Sequence, residues 1–77
     1  MTTAQAVYAI VDEVLRGVDG ARPVRPEDDL YDLGFDSLLI ARTAARVRER
    51  LGVDLPLAEY FNAGTVAELA AAVESGR

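Results

Sequence analysis

The chain has 77 residues with no cysteine and no histidine, and its 13 acidic residues and eight arginines give a net charge of −5. This length allows one small domain, which we assign to residues 1–77, and the composition excludes disulfides, cysteine–histidine zinc sites and histidine acid–base catalysis. The acidic balance argues against nucleic acid as a partner.

The first helix is predicted over residues 4–16. Its apolar residues recur at the spacing that places them on one helical face: Val7, Ile10, Val11, Val14 and Leu15. Thr2 and Gln5 have the spacing of a capping box at the helix start. Gly17, followed by Gly20, is expected to end the helix.

Residues 17–36 form a connection without regular structure, because Pro23 and Pro26 break any helix there. We expect its acidic residues to be solvated: Glu27, Asp28, Asp29 and Asp32. Their spacing fits no calcium loop. We expect its apolar residues to hold the connection on the core: Leu30, Tyr31, Leu33 and Phe35. A loop of about 20 residues in so small a domain is more often functional or disordered, and its apolar residues favour an ordered, functional loop.

The second helix is predicted over residues 37–51. Asp36 and Ser37 are both good N-cap types, and Gly52 suits the left-handed position after the helix. One apolar stripe is expected to face the core: Ile40, Thr43, Ala44, Val47 and Leu51. A second stripe on nearly the opposite side contains Leu38, Ala41 and Ala45. The flank between the stripes carries Arg42, Arg46 and Arg50, with Leu39 among them. A helix in so small a domain cannot easily bury two opposite faces, so one stripe is a candidate contact surface.

The remaining chain predicts two further helices. Residues 53–56 are extended before Pro56, and a short helix follows over residues 57–61. Tyr60 and Phe61 are expected in the core or at its edge. Thr65 and Glu68 form a capping box before the last helix, residues 66–75, which Gly76 ends. The predicted fold is therefore all-α: a small four-helix bundle with three main helices, one short helix and a long first loop.

Ser37 is the residue most able to carry chemistry. It could simply cap the second helix. It is a poor nucleophile within this chain, because neither a base nor an oxyanion arrangement accompanies it. A third possibility is that another enzyme modifies this accessible hydroxyl, with the neighbouring Asp36 orienting a cation or a basic side chain of that enzyme.

The segment Leu33-Gly34-Phe35-Asp36-Ser37-Leu38 resembles the phosphopantetheine attachment motif of acyl and peptidyl carrier proteins. The resemblance continues in register through residues 37–48, 51–57 with Tyr60-Phe61, and 65–70, and it spans residues 4–75. It implies that Ser37 carries a covalent 4'-phosphopantetheine, transferred from coenzyme A by a phosphopantetheinyl transferase that recognises Asp36. It further implies a carrier and not an enzyme, holding acyl or aminoacyl groups as thioesters.

The same resemblance places partner enzymes on the second helix. The implied contact residues are Leu38, Leu39, Ala41, Arg42, Ala45 and Arg46. The implied partners are an adenylating or acyltransferring loading enzyme and downstream condensing or tailoring enzymes. The arginines could select partners or simply form a solvated face.

The type of carrier stays open at this point. A basic second helix favours the peptidyl type of nonribosomal peptide biosynthesis, whereas Phe35 in the motif is closer to acyl carriers of polyketide synthases. An unmodified helical interaction module is the alternative from another class. No secretory signal and no run of about 20 apolar residues is present, so we expect a soluble cytoplasmic protein without a membrane partner. Met1 and the short tail after Gly76 favour a free-standing chain, which we expect to be monomeric.

Overall fold

The computed structural model describes residues 2–16 and 24–76. They form four α-helices: α1 Thr3–Leu15, α2 Ser37–Leu51, α3 Leu57–Asn62 and α4 Val66–Ser75. The predicted all-α architecture of three main helices and one short helix is confirmed. The end of the first helix and the start of the long loop were predicted from Gly17, Gly20 and Pro23. These three residues lie outside the described residues.

Short-range hydrogen bonds set the helix ends as predicted. The Thr2 hydroxyl accepts from the Gln5 amide at 3.1 Å, and the Gln5 side chain accepts from the Thr2 amide at 2.9 Å. Gly52 has φ 69° and ψ 19°, the left-handed conformation that glycine adopts without steric cost. The Thr65 hydroxyl accepts from the Glu68 amide at 3.1 Å, although the Glu68 carboxylate takes the Gly64 amide rather than that of Thr65.

The core lies where α1 packs against α2 and α4. The apolar faces predicted for these helices are buried, including all five core residues of α1 and, on α4, Val66, Leu69, Ala70 and Val73. On α2 the predicted core stripe faces inward. Thr43 is the polar member of this stripe, and its buried hydroxyl donates a hydrogen bond to the Leu39 carbonyl at 2.8 Å. Burial of this apolar surface is the main stabilising term in such a small domain.

Four side chains depart from their predicted environments. Leu39 was placed among the flank arginines, but only 8% of its surface is exposed, so it belongs to the core. Asp28 was expected in solvent and is buried, where its carboxylate accepts the Arg25 amide at 2.8 Å. Tyr31 and Phe61 were expected in or beside the core, yet they are 57% and 42% exposed. The Tyr31 hydroxyl donates to the Phe61 carbonyl at 3.2 Å, which ties the connection to α3 at the surface.

Candidate functional site

The segment that leads to Ser37 is held against the start of α4. The Leu30 amide donates to the Gly64 carbonyl, and the Val66 amide donates to the Asp28 carbonyl, each at 3.0 Å. Leu30 is 2% exposed and anchors the segment on the core. The segment is therefore attached by both backbone and side chain, as an ordered loop requires.

A turn immediately before α2 leads into the helix at Ser37. Gly34 has φ 92°, a conformation that side chains other than glycine rarely adopt. The Gly34 amide donates to the Tyr31 carbonyl at 3.0 Å, and the Phe35 amide donates to the Leu30 carbonyl at 3.1 Å. Phe35 is 5% exposed, so this motif residue is a core anchor beneath the turn.

Asp36, and not Ser37, caps α2. The Asp36 carboxylate accepts the Leu39 amide at 2.9 Å, and the Asp36 carbonyl accepts the Ile40 amide at 2.9 Å. Ser37 is the first residue of the helix and is exposed, and no described residue forms a hydrogen bond with its hydroxyl. The interpretation of Ser37 as an inert cap is therefore wrong, because its neighbour already satisfies the free amide of the first turn.

The position of Ser37 suits a phosphate ester. Its Oγ lies at the positive end of the α2 dipole, where a negatively charged group is stabilised. Because the side chain is exposed, a second protein can reach the hydroxyl and a long substituent can extend into solvent. Ser37 can thus present an attached group. The described residues hold no histidine or cysteine that could activate the Ser37 hydroxyl as a nucleophile.

The second stripe of α2 is exposed, as predicted. Leu38 is 57% exposed, and Ala41 and Ala45 are exposed one and two turns further along. An open groove of about 340 Å³ runs beside this stripe, between α2 and the segment that leads into α3. Leu57, which is 50% exposed, lines its far wall together with Leu55 and Pro56.

The arginines of α2 divide into two kinds. Arg46 Nε lies 3.1 Å from Glu13 Oε1, and Arg50 donates to both Glu13 oxygens at 2.6 and 2.8 Å. The hydrogen bonds from Arg50 hold the pKa of Glu13 below its ordinary value, and Glu13 in turn raises the pKa of Arg50. Arg42 and Arg48 are exposed and form no ion pair with any described residue. Sequence reasoning missed Glu13 as the partner of this flank.

Tyr60 is buried, as predicted, but the sequence did not reveal that its hydroxyl would lack a hydrogen-bond partner. It is 2% exposed, and its hydroxyl has no hydrogen-bond partner among the described residues. Burial, followed by the nearby charge of Asp54, raises the pKa of Tyr60 to about 12. The phenol is therefore neutral at ordinary pH and serves as a core side chain.

The described residues form neither a membrane-spanning helix nor a metal-binding cluster. None of their helices is both long enough and apolar enough to cross a membrane. No group of three or more acidic side chains in residues 2–16 and 24–76 is arranged to hold a metal ion.

Known proteins are similar to this chain in sequence and in fold. The profile of the phosphopantetheine attachment site family matches residues 5–73. A probable non-canonical nonribosomal peptide synthetase, CymA, from Salinispora arenicola is 39% identical over 69 residues, which are 84% of this chain. Surfactin synthase subunit 3 from Bacillus subtilis is 33% identical over 72 residues, or 94% of this chain. The chain spans only 1% and 5% of the lengths of these two relatives.

The solution structure of the acetyl actinorhodin acyl carrier protein from Streptomyces coelicolor has a similar fold. The TM-score is 0.78 at 27% identity, and the alignment covers 99% of this chain and 90% of that protein. The family profile spans all four helices and the turn before Ser37. The chain therefore belongs to the phosphopantetheine attachment site family and is a carrier domain that binds 4'-phosphopantetheine.

Proposed function

We propose that Ser37 is the attachment residue and that the domain is a peptidyl-type carrier of nonribosomal peptide biosynthesis. The observation that carries this proposal is that two neighbouring residues have different roles at the start of α2. Asp36 accepts the Leu39 amide at 2.9 Å, and the exposed Ser37 hydroxyl is left without a partner among the described residues. The prosthetic group supplies a terminal thiol, which holds an aminoacyl group as a thioester.

This chain's own residues would present the group. Phe35 and Leu30 hold the approach to Ser37 on the core, which fixes the attachment point relative to the helices. The dipole of α2 stabilises the phosphate at the helix start. Asp36 remains our candidate for recognition by a phosphopantetheinyl transferase, in addition to its capping role.

The peptidyl assignment draws support from the similarity to CymA, which is named as a probable non-canonical nonribosomal peptide synthetase. Phe35 pointed toward acyl carriers of polyketide synthases in the sequence. In the structure Phe35 packs in the core, a structural role that does not depend on the cargo. The likeness to an acyl carrier protein keeps the acyl type as the second candidate. On either assignment, loading and condensing enzymes are the expected partners.

Intact-mass measurement after incubation with coenzyme A, magnesium and a broad-specificity transferase tests the attachment residue. We expect one phosphopantetheinyl group on the wild type and none on Ser37→Ala. Ser75→Ala is a matched control, since Ser37 and Ser75 are the chain's only serines, and it should be modified normally. An unmodified wild type would contradict the proposal, as would a modified Ser37→Ala. Partner binding by a wild type that the transferase leaves unmodified would instead favour the interaction module.

A second assay tests the cargo. The modified domain is incubated with ATP, individual amino acids and a panel of adenylating enzymes, and in parallel with acyl-coenzyme A donors and acyltransferases. Aminoacyl thioester formation supports the peptidyl type. Loading by acyltransferases alone would support the acyl type.

A further inference from the structure

Asp29 organises the turn that precedes Ser37. Its carboxylate oxygen Oδ1 accepts the Tyr31 amide at 2.8 Å and the Asp32 amide at 3.2 Å, and its carbonyl accepts the Leu33 amide at 3.1 Å. An aspartate side chain that accepts the amide two residues ahead takes the place of a backbone carbonyl at the start of a turn. One residue therefore binds three consecutive amides of this turn.

The backbone of Asp29 is fixed to the last helix. Asp29 forms an isolated antiparallel bridge with Thr65, the N-cap of α4. Next to this bridge, the Ala67 amide donates to the Pro26 carbonyl at 2.9 Å. The first amides of a helix have no partner within it, so α4 binds the loop with donors that its own backbone cannot satisfy. Asp29 thus joins a fixed helix start to the turn.

Only a short piece of chain separates this turn from the hydroxyl of Ser37. The turn covers residues 30–34, and the Phe35 amide closes it by donating to the Leu30 carbonyl. Phe35 and Asp36 then lead directly to Ser37, the first residue of α2. Because so few backbone torsions lie between them, a distorted turn displaces Ser37.

The modification of Ser37 requires an accurate position of its oxygen. In the transfer, Oγ attacks the phosphorus next to the pantetheine of coenzyme A. A new phosphorus–oxygen bond forms, the diphosphate bond of coenzyme A breaks, and adenosine bisphosphate leaves. The hydroxyl proton passes to a base of the transferase. The attacking and leaving oxygens must lie roughly in line, so the rate depends on how well the hydroxyl is held.

We propose that Asp29 is a positioning residue for the modification of Ser37. It acts through the turn at residues 30–34 and contacts neither the hydroxyl nor coenzyme A. Its acceptor oxygen, and not its negative charge, carries this role, because the Tyr31 and Asp32 amides require only an oxygen at that place. The proposal deepens the proposed function and rests on it.

Three substitutions at Asp29 separate the position of the oxygen from the charge. Asp29→Asn keeps an oxygen at the same distance from the backbone, Asp29→Ala removes it, and Asp29→Glu keeps the charge but moves the oxygens one carbon further out. Initial rates of phosphopantetheinylation are measured at saturating coenzyme A over a range of chain concentrations. We expect Asp29→Asn to stay within about twofold of the wild type, and the other two variants to lose roughly tenfold in kcat at a nearly unchanged KM for the chain.

Asp32→Ala is the matched control for these rates. It removes an exposed carboxylate from the same turn, one to which no described residue donates a hydrogen bond. The Asp32 amide, which donates to Asp29, remains in this variant. We expect Asp32→Ala to be modified at the wild-type rate.

Amide hydrogen exchange in the unmodified chain shows whether the turn itself changes. Gly34 and Phe35 both donate backbone hydrogen bonds within the turn. We expect their amides to exchange faster in Asp29→Ala than in the wild type or Asp29→Asn, and by a larger factor than the amide of the buried Ile10 in α1. Acceleration by the same factor at all three amides would indicate general destabilisation and would overturn the proposal.

Urea unfolding establishes that each variant is folded under the assay conditions; should Asp29→Ala unfold, Asp29→Glu makes the comparison with Asp29→Asn. A wild-type rate in Asp29→Ala or Asp29→Glu, a slow Asp29→Asn, a loss confined to KM, or an equal loss in Asp32→Ala would refute the positioning role alone. A wild type that is never modified at Ser37 would instead refute the proposed function, and this inference with it.

Discussion

Glu13 on α1 accepts two hydrogen bonds from Arg50 on α2, at 2.6 and 2.8 Å, and a third from Arg46 at 3.1 Å. A single carboxylate thus joins two turns of α2 to the first helix. Since α1 and α2 are connected by the long loop, this contact restrains their relative position at the edge of the core. It also distinguishes Arg46 and Arg50, which are paired with Glu13, from the exposed Arg42 and Arg48, which form no ion pair with a described residue.

Glu13→Gln should lower the urea concentration at the unfolding midpoint at neutral pH. It should also make that midpoint fall less as the pH is lowered. The pKa of Glu13 is lowered in the folded state, so its contribution is present above the unfolded pKa and is lost as pH falls through the folded value. Urea titrations at neutral pH and at pH values below the ordinary glutamate pKa measure the difference. Arg42→Gln, an exposed arginine without an ion pair on the same helix, is the control and should change little. An acid dependence in Glu13→Gln identical to that of the wild type would refute this role.

Tyr60→Phe should leave the domain as stable as the wild type or stabilise it by about 1 kcal/mol, because it removes a buried hydroxyl that lacks a partner. Its raised pKa, about 12, also implies that the wild type loses stability as pH rises from the unfolded tyrosine value toward 12. Tyr60→Phe should flatten this alkaline loss in thermal or urea unfolding. Tyr31→Phe is the control: its exposed hydroxyl donates to the Phe61 carbonyl, so its loss should not improve stability. A clear destabilisation by Tyr60→Phe would mean that the hydroxyl has a partner.

Gly52→Ala should destabilise the domain by about 1 kcal/mol, because alanine is strained at φ 69° even though its Cβ would meet no atom within 4 Å. Gly64→Ala is the matched control. Gly64 has no positive φ, and a Cβ there would meet only ordinary contacts with the Glu68 side chain. Chemical denaturation should show a lower unfolding free energy for Gly52→Ala than for Gly64→Ala. Equal stabilities would argue against the left-handed cap.

Two substitutions at Asp36 separate its capping role from transferase recognition. Asp36→Ala removes the acceptor of the Leu39 amide and should cost about 1 kcal/mol, whereas Asp36→Asn keeps an acceptor and should cost little. If the transferase recognises the charge of Asp36, Asp36→Asn should be modified more slowly than the wild type at nearly unchanged stability. Unfolding curves and the initial rate of phosphopantetheinylation measure the two effects. Modification of Asp36→Asn at the wild-type rate would confine Asp36 to the cap.

Leu38→Asp and Leu39→Asp compare neighbouring positions with opposite burial. Leu38 is 57% exposed, so Leu38→Asp should remain folded while slowing transferase modification by about tenfold. Leu39 is 8% exposed, so Leu39→Asp should cost more than about 3 kcal/mol by placing a carboxylate in the core. Circular dichroism and the modification rate give the two readouts. Unfolding of Leu38→Asp would show that Leu38 supports the core, and an unaffected rate would remove it from the contact surface.

The helix boundaries could be predicted because they depend on residues close together in the chain. Thr2 with Gln5, Thr65 with Glu68 and the left-handed Gly52 act within about one helical turn. The apolar periodicity of α1, α2 and α4 likewise identified most of their buried residues. The candidate site could also be predicted, because the turn at Gly34, the capping residue Asp36 and Ser37 are close together in the sequence.

Only the tertiary structure decided the contacts between distant segments. Glu13 lies 33 and 37 residues from the arginines that it binds, and periodicity within α2 carries no information on that pairing. Leu39 was predicted on the arginine flank and is buried in the assembled core. At Asp36 and Ser37, both residue types can cap a helix, and the backbone path imposed by the turn at Gly34 selects Asp36. The sequence by itself therefore determined the elements and the modified-serine motif, because these arise from local interactions. The fold determined which arginines, leucines and hydroxyls remain exposed, because exposure depends on how the elements pack.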